Sequence, residues 1–263
     1  MIDFHNHVLP NIDDGSKSLR MSLNMLKLAA DQGITDVINT VHYMHPKMDN
    51  KKVNFKIVEN EITSLQNNLN EASIPVKLHS ASEVFFIPEI SKLINDPLAT
   101  FSKKKYMLIE FYPNLIPELQ KKILFDLKMN GVNPIIAHPE RYLAVQENIN
   151  IVYDWLNSGC LIQVDGGSVL GSFGNKTKKV SEKIIKNGWC QIVGSDAHND
   201  KKRNFCLFDA NKILSKWIGK ESNKLTYQNP LALIKGEDIP IEIEEEIQND
   251  NFFLKFLKKW RNT

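Results

Sequence analysis

Short apolar runs alternate along the chain with longer segments in which apolar residues recur at helical spacing. This alternation predicts a parallel sheet or barrel surrounded by helices. The predicted strands are Ile2–His5, Asp36–Val41, Val76–Ala81, Tyr106–Glu110, Asn133–Ala137, Cys160–Asp165 and Gln191–Gly194. The predicted helices are Leu19–Gln32, Asn54–Asn70, Ile116–Asn130 and Asn175–Lys186, three of which end close to a glycine. Together they indicate one α/β domain over residues 1–263, long enough to bury a full core.

Ionisable residues stand at the ends of six of the seven predicted strands. In chain order they are His5 and His7, His42, Glu83, Glu110, His138, and finally Asp196 with His198. Barrels of parallel strands carry their chemistry at the carboxyl ends of the strands, because the loops converge there. We therefore expect these eight side chains to share one site.

Imidazoles and carboxylates without thiolates form a ligand set for Zn²⁺, Mn²⁺ or Fe²⁺. His5 and His7 are two residues apart at the end of a strand, and so are Asp196 and His198, so each pair projects to one face. The eight donors become nine with one aspartate of the "DDG" turn. Because a single zinc ion takes about four ligands, the sequence predicts two or three ions with a bridging carboxylate.

Two histidines remain outside this set. His79, in "KLHSASEV", is expected to have a structural role. His45, in the loop "HYMHPKMDN", could reach a substrate or could equally be a solvated loop residue.

Composition argues against several classes of function. A formal net charge of +2, from 33 basic and 31 acidic side chains, gives no strong attraction to nucleic acid. Three cysteines without a CxxC pair are too few for a disulfide framework and indicate the cytosol. The N-terminus lacks signal-peptide features, and no apolar run approaches the roughly 20 residues of a membrane span. We expect a cytoplasmic protein that has no integral membrane segment and does not bind nucleic acid.

The region at residues 209–263 is predicted to be a helical, docking C-terminal segment. It contains the helical stretch "ANKILSKWIG", the acidic stretch "IPIEIEEEIQND" and the amphipathic stretch "NFFLKFLKKW". Terminal segments usually need apolar anchors to be ordered, which favours a helix docked on the barrel. The alternative is contact with a membrane surface or a partner protein.

The motifs, taken in order, resemble those of the PHP (polymerase and histidinol phosphatase) superfamily. They are "HNH", "TVHY", "IAHPER" and "GSDAH". Within that superfamily, the stretches "MIDFHNHVLPNIDDGSKS", "AHPERY", "GSVLGSFG" and "GSDAHN" resemble the bacterial capsule and exopolysaccharide tyrosine phosphatases. The likeness extends from Met1 to about Phe208.

The resemblance implies the PHP fold, a distorted seven-stranded (β/α)7 barrel of TIM-like type, with three divalent ions. Mn²⁺ is the expected metal, and Fe²⁺, Co²⁺ and Zn²⁺ are alternatives. The implied ligands are His5, His7, Glu83 and Asp196 for the first ion, Glu83, Glu110 and His138 for the second, and Asp14, His42 and His198 for the third. Asp13 competes with Asp14, and the aspartate that is not a ligand is expected to brace the "DDG" turn.

Two arginines are candidate phosphate ligands. Arg141 follows His138 in "HPERY", and its guanidinium matches the oxygens of a phosphate group. The alternative for Arg141 is a surface salt bridge with Glu140 or another neighbour. Arg203 has the corresponding position in the family pattern, although the lysines in "DKKRNF" could supply the charge instead.

The implied activity is metal-dependent hydrolysis of phosphotyrosine. By resemblance, the substrate is the tyrosine-rich tail of a membrane-bound bacterial tyrosine kinase that controls capsule or exopolysaccharide synthesis. A covalent route through cysteine is excluded, because none of Cys160, Cys190 and Cys206 is followed six positions later by arginine. The alternatives are a histidinol phosphatase or another small-molecule phosphomonoesterase, and an inactive metal-binding scaffold.

Overall fold

The computed structural model describes residues 1–48, 53–103 and 105–241. Within these residues, seven strands follow one another around a nearly closed barrel in the order of the chain, and all neighbours pair in parallel. The strands are β1 (Ile2–Phe4), β2 (Asp36–Tyr43), β3 (Lys77–Phe85), β4 (Tyr106–Glu110), β5 (Asn133–Ala137), β6 (Leu161–Asp165) and β7 (Ile192–Gly194). The predicted seven-stranded barrel is therefore confirmed.

Helices surround the barrel. They are α1 (Leu19–Asp31), α2 (Phe55–Glu71), α3 (Gln120–Met129), α4 (Leu143–Glu147), α5 (Asn150–Asn157), α6 (Gly166–Leu170), α7 (Asn175–Lys186), α8 (Leu207–Ile218) and α9 (Asn229–Lys235). The side chains of Ser18 and Asn54 accept hydrogen bonds from backbone N–H groups and so cap α1 and α2. Helix α3 begins at Gln120, later than predicted, because the preceding residues form a turn closed by a hydrogen bond from the Gln120 N–H to the Pro117 carbonyl.

The barrel interior has two layers of side chains. The lower layer is apolar, and the upper layer, at the carboxyl ends of the strands, is polar. The lower layer includes the buried side chains of Ile38, Ala81 and Leu108. Successive residues of a strand point to opposite faces, so residues two or four positions later point the same way. His42 and Glu83 therefore also face the barrel interior, but at its carboxyl end.

The barrel is closed between β1 and β7 by hydrogen bonds just beyond the two strands. The Asp196 N–H donates to the His5 carbonyl at 2.8 Å, and the His7 N–H donates to the Ala197 carbonyl at 2.8 Å. These bonds place the HxH pattern of the first strand directly beside the DxH pattern of the last strand. Closure of the barrel thus joins two motifs that are far apart in the sequence.

Helix α8 confirms the helix predicted at "ANKILSKWIG". Most of the acidic stretch and the whole amphipathic stretch fall on residues 242–263, outside the described residues, so the docking role of this segment stays a prediction. Among the described helices, none combines the length and the hydropathy needed to cross a membrane.

Candidate metal centre

The structure brings the nine predicted ligands together at the carboxyl end of the barrel. Within the described residues, their donor atoms form four overlapping groups, and the atoms of each group lie within 4.8 Å of one another. The groups are His5, His7 and Asp196; His5, Glu83 and His138; His42, Glu83 and Glu110; and His7, Asp14, His42 and His198. Because the groups share members, the nine residues form one continuous set, which we call the ligand cluster.

Two strands extend beyond their predicted carboxyl ends, and the other strand boundaries agree with the prediction to within one residue. His42 and Glu83 do not follow their strands; they lie inside β2 and β3, which continue to Tyr43 and Phe85. The parallel register pairs His42 directly with Glu83, so backbone pairing of the two strands fixes both side chains. The rigid sheet, rather than a loop, therefore holds these two members of the ligand cluster.

Glu83 lies at the centre of the ligand cluster. Its Oε1 is 2.8 Å from His138 Nε2, and its Oε2 is 3.1 Å from His5 Nε2. The same Oε2 is 3.3 Å from His42 Nδ1 and 3.5 Å from His7 Nε2. One buried carboxylate thus faces four imidazoles, which is the arrangement expected of a ligand that bridges two ions.

Hydrogen bonds fix the tautomers of His5 and His7. Gln163 Oε1 accepts a hydrogen bond from the backbone N–H of His138 at 3.2 Å and lies 3.0 Å from His5 Nδ1. Because an amide oxygen only accepts, His5 Nδ1 is the donor. Asp13 Oδ2 lies 2.8 Å from His7 Nδ1, which donates to this carboxylate. Both imidazoles therefore turn an Nε2 lone pair into the ligand cluster, as metal-binding histidines do. Gln163 and this role of Asp13 were not predicted from the sequence.

The two adjacent aspartates separate into different positions. Asp14 Oδ1 lies 3.4 Å from His42 Nε2 and 3.3 Å from His198 Nε2. Asp13 instead accepts from the backbone N–H groups of Gly15 at 2.9 Å and His42 at 3.1 Å, in addition to His7. Asp13 thus braces the "DDG" turn while Asp14 joins the ligand cluster.

Several buried donor and acceptor atoms of the ligand cluster make no well-directed hydrogen bond, although they lie close to one another. Among the described residues these are His5 Nε2, His7 Nε2, His42 Nδ1, His138 Nδ1 and Glu110 Oε1. Buried polar atoms that lack such bonds are costly and rare in folded proteins. Lone pairs of imidazole and carboxylate that converge in one place are what divalent metal ions bind, so the residues present fit a metal centre.

Two members of the ligand cluster, Glu83 and His138, have charge states that suit a metal. Burial opposes ionisation of Glu83, but the charges of His5 and His42 outweigh it and hold its pKa well below the usual range. Burial, together with the Arg141 charge, lowers the pKa of His138 to about 4. An ionised carboxylate and a neutral imidazole are the forms that bind metal ions.

His42 differs from these two members. Burial and the His7 charge oppose its protonation, but Glu83, Asp14 and Glu110 outweigh them and raise the pKa of His42 to about 10. A bound cation would replace this positive charge.

Three members of the ligand cluster have backbone conformations that non-glycine residues rarely adopt. The φ angles are 130° for His5, 34° for His138 and 46° for Asp196. Such conformations cost on the order of 1–3 kcal/mol each and concentrate at functional sites. These strained backbone conformations accompany the placement of the three side chains in the ligand cluster.

Arg141 and Arg203, which we call the arginine pair, meet at one oxygen of Asp196. Arg141 Nη1 donates to Asp196 Oδ2 at 2.6 Å, and Arg203 Nη2 donates to the same oxygen at 2.5 Å. Asp196 Oδ1 faces the other way, 3.5 Å from His5 Nε2 and 3.4 Å from His7 Nε2. Asp196 thus links the ligand cluster to the arginine pair.

The salt bridge considered for Arg141 is present, but with different partners. Its guanidinium contacts Asp165 at 3.5 Å as well as Asp196. Glu140 is instead buried, and its Oε1 accepts the Asp165 N–H at 3.0 Å. Asp165, at the end of β6, was not predicted to belong to the site. With it, each of the seven strands has an ionisable residue at or near its carboxyl end.

A cavity of about 220 Å³ opens beside the ligand cluster and the arginine pair. One wall is apolar and aromatic: Phe85 packs edge-on against Tyr112, with ring centroids 4.6 Å apart, and Pro113 lies beside them. A backbone bridge between Tyr112 and Leu115 forms a tight turn that fixes this wall, which we call the aromatic wall. The cavity therefore combines a polar floor with a surface suited to an aromatic ring.

The remaining histidines lie in different surroundings. His45 lines the cavity, with its ring 5.0 Å from those of His42 and Phe85, so it is part of the site wall and not a solvated loop residue. His79 Nε2 lies 2.8 Å from Asp36 Oδ1, near the amino ends of β2 and β3, and there has a structural contact.

The three cysteines differ in their burial. Cys160 and Cys190 are buried, whereas Cys206 is only partly buried. Burial raises the pKa of Cys160 and of Cys190 to about 12, so both thiols are protonated near neutral pH. Neither thiol has the character of a nucleophile.

Comparison with known proteins gives a consistent result. The family model described as capsular polysaccharide synthesis, CpsB/CapC, matches residues 1–235. The putative tyrosine-protein phosphatase CapC of Staphylococcus aureus is 35% identical over 208 residues, which cover 79% of this chain and 80% of the relative. The tyrosine-protein phosphatase YwqE of Bacillus subtilis is 32% identical over 240 residues, which cover 91% of this chain and 93% of the relative.

Solved structures agree with the sequence matches. One comes from the pair YwqE of Bacillus subtilis and CpsB of Streptococcus pneumoniae, described as unique metal-dependent tyrosine phosphatases. It matches with a TM-score of 0.87 and 30% identity, covering 95% of this chain and 100% of that chain. A histidinol phosphate phosphatase of Lactococcus lactis matches with a TM-score of 0.57 and 16% identity, covering 86% of this chain and 94% of that chain. At this identity the likeness shows a shared fold and nothing about function.

Proposed function

The chain belongs to the CpsB/CapC family of capsular polysaccharide synthesis, and from this membership we propose that it is a metal-dependent protein tyrosine phosphatase. Relatives in this family are named tyrosine-protein phosphatases. The observation that carries the proposal is the arginine pair, held on Asp196 at the edge of the buried ligand cluster. Guanidinium groups beside a metal-binding set are suited to a phosphate monoester.

The ligand cluster is proposed to hold three divalent ions. The proposed ligands are His5, His7, Glu83 and Asp196 for the first, Glu83, Glu110 and His138 for the second, and Asp14, His42 and His198 for the third. Mn²⁺ is the expected ion, with Fe²⁺, Co²⁺ and Zn²⁺ as alternatives, because nitrogen and oxygen ligands bind several first-row metals. The chemistry that such ions supply when bound is activation of water near neutral pH and neutralisation of phosphoryl charge.

The chain's own residues bind and orient the ester. Arg141 and Arg203 donate hydrogen bonds to the phosphoryl oxygens and stabilise their negative charge. Asp196 holds both guanidinium groups in place through one oxygen. A tyrosine leaving group, with a pKa of about 10, departs more readily than an alkyl alcohol. The proposed mechanism therefore includes no dedicated general acid and no cysteine nucleophile.

The aromatic wall supports an aryl ester as the substrate. Phe85 is 7% exposed and Tyr112 is partly buried, and both line the cavity beside the arginine pair. A phenyl ring placed against this wall gains apolar contact while its phosphate reaches the guanidinium groups. The preferred substrate is therefore a phosphotyrosine on a protein. The proposed partner is the tyrosine-rich tail of a membrane-bound bacterial tyrosine kinase that controls capsule or exopolysaccharide synthesis.

The proposed function is tested by restoring metal-depleted protein with Mn²⁺, Fe²⁺, Co²⁺ or Zn²⁺ in separate assays. Each sample is given an aryl phosphate, a phosphotyrosyl peptide and histidinol phosphate. We expect activity to return with metal and to be greatest on the phosphotyrosyl peptide. Equal or better turnover of histidinol phosphate would overturn the tyrosine phosphatase assignment in favour of a small-molecule phosphatase.

Removal of Asp13 should weaken metal binding although Asp13 is not a proposed ligand. In Asp13→Ala, His7 Nδ1 loses its acceptor and the "DDG" turn loses its brace. Loss of such a partner typically lowers metal affinity about 10–100-fold, which a Mn²⁺ titration by calorimetry would measure. Asp31→Ala, at the exposed end of α1, is the matched control. Unchanged affinity in Asp13→Ala would show that the turn alone positions His7.

A further inference from the structure

The arginine pair needs more than Asp196 to hold its orientation. Both guanidinium groups bind the same carboxylate oxygen, at 2.6 and 2.5 Å, so two like charges lie close together. A single shared oxygen fixes the position of one nitrogen of each group but not the plane of the group. Phosphate recognition depends on that plane, because the donors of a guanidinium form a rigid fork.

Phe173 supplies a second contact to both arginines. Its ring centroid lies 4.7 Å from Arg141 Cζ and 5.8 Å from Arg203 Cζ. Both distances are within the range at which an aromatic face attracts a cation. Phe173 is partly buried and is not among the described residues that line the cavity, so its contact is with the arginine pair.

The chain after β6 is built to place this ring. Asp165 Oδ1 accepts the Gly167 N–H at 2.7 Å and begins α6, while its Oδ2 lies 3.5 Å from Arg141 Nη1. A Cβ atom on Gly167 would lie 2.9 Å from Phe173 Cε2, a distance too short for ordinary packing. Gly167 therefore makes room for the ring of Phe173. The two residues belong to "GSVLGSFG", a stretch to which the proposed function assigns no role.

We propose that Phe173 is a positioning residue for phosphate binding: its ring holds the guanidinium groups of Arg141 and Arg203 in the orientation that accepts a phosphoryl group. Phe173 acts through the arginine pair and does not itself touch the substrate. The proposal rests on the proposed function in one respect, that the ligand of the arginine pair is a phosphate ester.

The test compares three replacements of Phe173 in Mn²⁺-loaded protein. Phe173→Ala removes the ring, Phe173→Leu keeps an apolar side chain without a π face, and Phe173→Tyr keeps the aromatic face. We expect the affinity for inorganic phosphate, measured by calorimetry, to fall about tenfold in the first two variants. We expect Phe173→Tyr to stay within about twofold of the wild type, and kcat/KM for an aryl phosphate to follow the same order.

Two further measurements separate positioning from a general structural role. Bound metal and melting temperature should be unchanged in Phe173→Leu, and Phe173→Ala should have no added effect once Arg141 and Arg203 are both replaced by alanine. Phe208→Ala is the matched control, because the Phe208 ring also contacts a cation: Lys212 Nζ lies 4.0 Å from its centroid, on the exposed face of α8 and away from the site. Its phosphate affinity should equal that of the wild type.

The proposal is overturned if Phe173→Leu binds phosphate as tightly as the wild type, or if all variants lose bound metal together. Failure of the proposed function has a different signature. In that case, wild-type protein hydrolyses no aryl phosphate with any metal, while the phosphate affinities of the Phe173 variants still report on the arginine pair.

Discussion

Glu83→Gln should reduce phosphatase activity by at least about 10³-fold and lower the amount of bound metal. The substitution keeps the shape of the side chain but removes the negative charge that faces His5, His7, His42 and His138. Glu83 is the ligand proposed to be shared by two ions, so we expect its loss to remove several kcal/mol of transition-state stabilisation, and each 1.36 kcal/mol is a factor of ten in rate.

The measurement for Glu83→Gln combines kcat/KM on an aryl phosphate with metal analysis of the purified protein. Glu182→Gln is the matched control: Glu182 pairs with Lys186 on the surface of α7, where an ion pair contributes little. Wild-type metal content together with wild-type turnover in Glu83→Gln would remove Glu83 from the proposed metal centre.

Arg141→Ala should lower kcat/KM for an aryl phosphate by about 10- to 150-fold. Hydrogen bonds to charged groups contribute about 1.5–3 kcal/mol, and this range converts to that loss in rate. Arg203→Ala should have a comparable effect, because both guanidinium groups meet at Asp196 Oδ2. Arg141→Lys should restore only part of the activity, since an ammonium group lacks the planar fork of donors.

Metal content must be measured alongside turnover for the Arg141 variants, because Asp196 is also a proposed metal ligand. We expect bound metal to be unchanged in Arg141→Lys and the loss to appear in phosphate-ester turnover. Arg20→Ala, on the exposed surface of α1, controls for the removal of one positive charge. A wild-type rate in Arg141→Ala would leave Arg141 as a structural partner of Asp165 and Asp196 only.

Much of the site could be read from local spacing. The pairs His5–His7 and Asp196–His198 are each two residues apart, and the structure places all four in the ligand cluster. Their position at strand ends followed from the alternation of short apolar runs with helical segments. Both signals are local, because strand geometry sends alternate residues to the same face whatever the rest of the chain does.

Other parts of the site depend on contacts across the fold. Gln163 orients His5 over a sequence separation of 158 positions, and Phe173 meets Arg141 and Arg203 only after three segments of chain have packed together. An amide at an inward-facing position in "LIQVD" was a local signal for Gln163. For Phe173 the sequence offered only its place in the stretch "GSVLGSFG", which gave no indication of a contact with the two arginines.

The sequence by itself determined seven strands of a parallel sheet or barrel and the ionisable residues at their carboxyl ends, because both follow from residue periodicity and from the covalent geometry of strands. The choice of a barrel over an open sheet was implied by the resemblance to the PHP superfamily. Only the tertiary structure decided that Asp14 enters the ligand cluster while Asp13 turns to His7 and the "DDG" backbone. It likewise decided the strained backbones of His5, His138 and Asp196. Adjacent identical side chains have the same local propensities, so their roles depend on hydrogen-bond partners that closure of the barrel brings near.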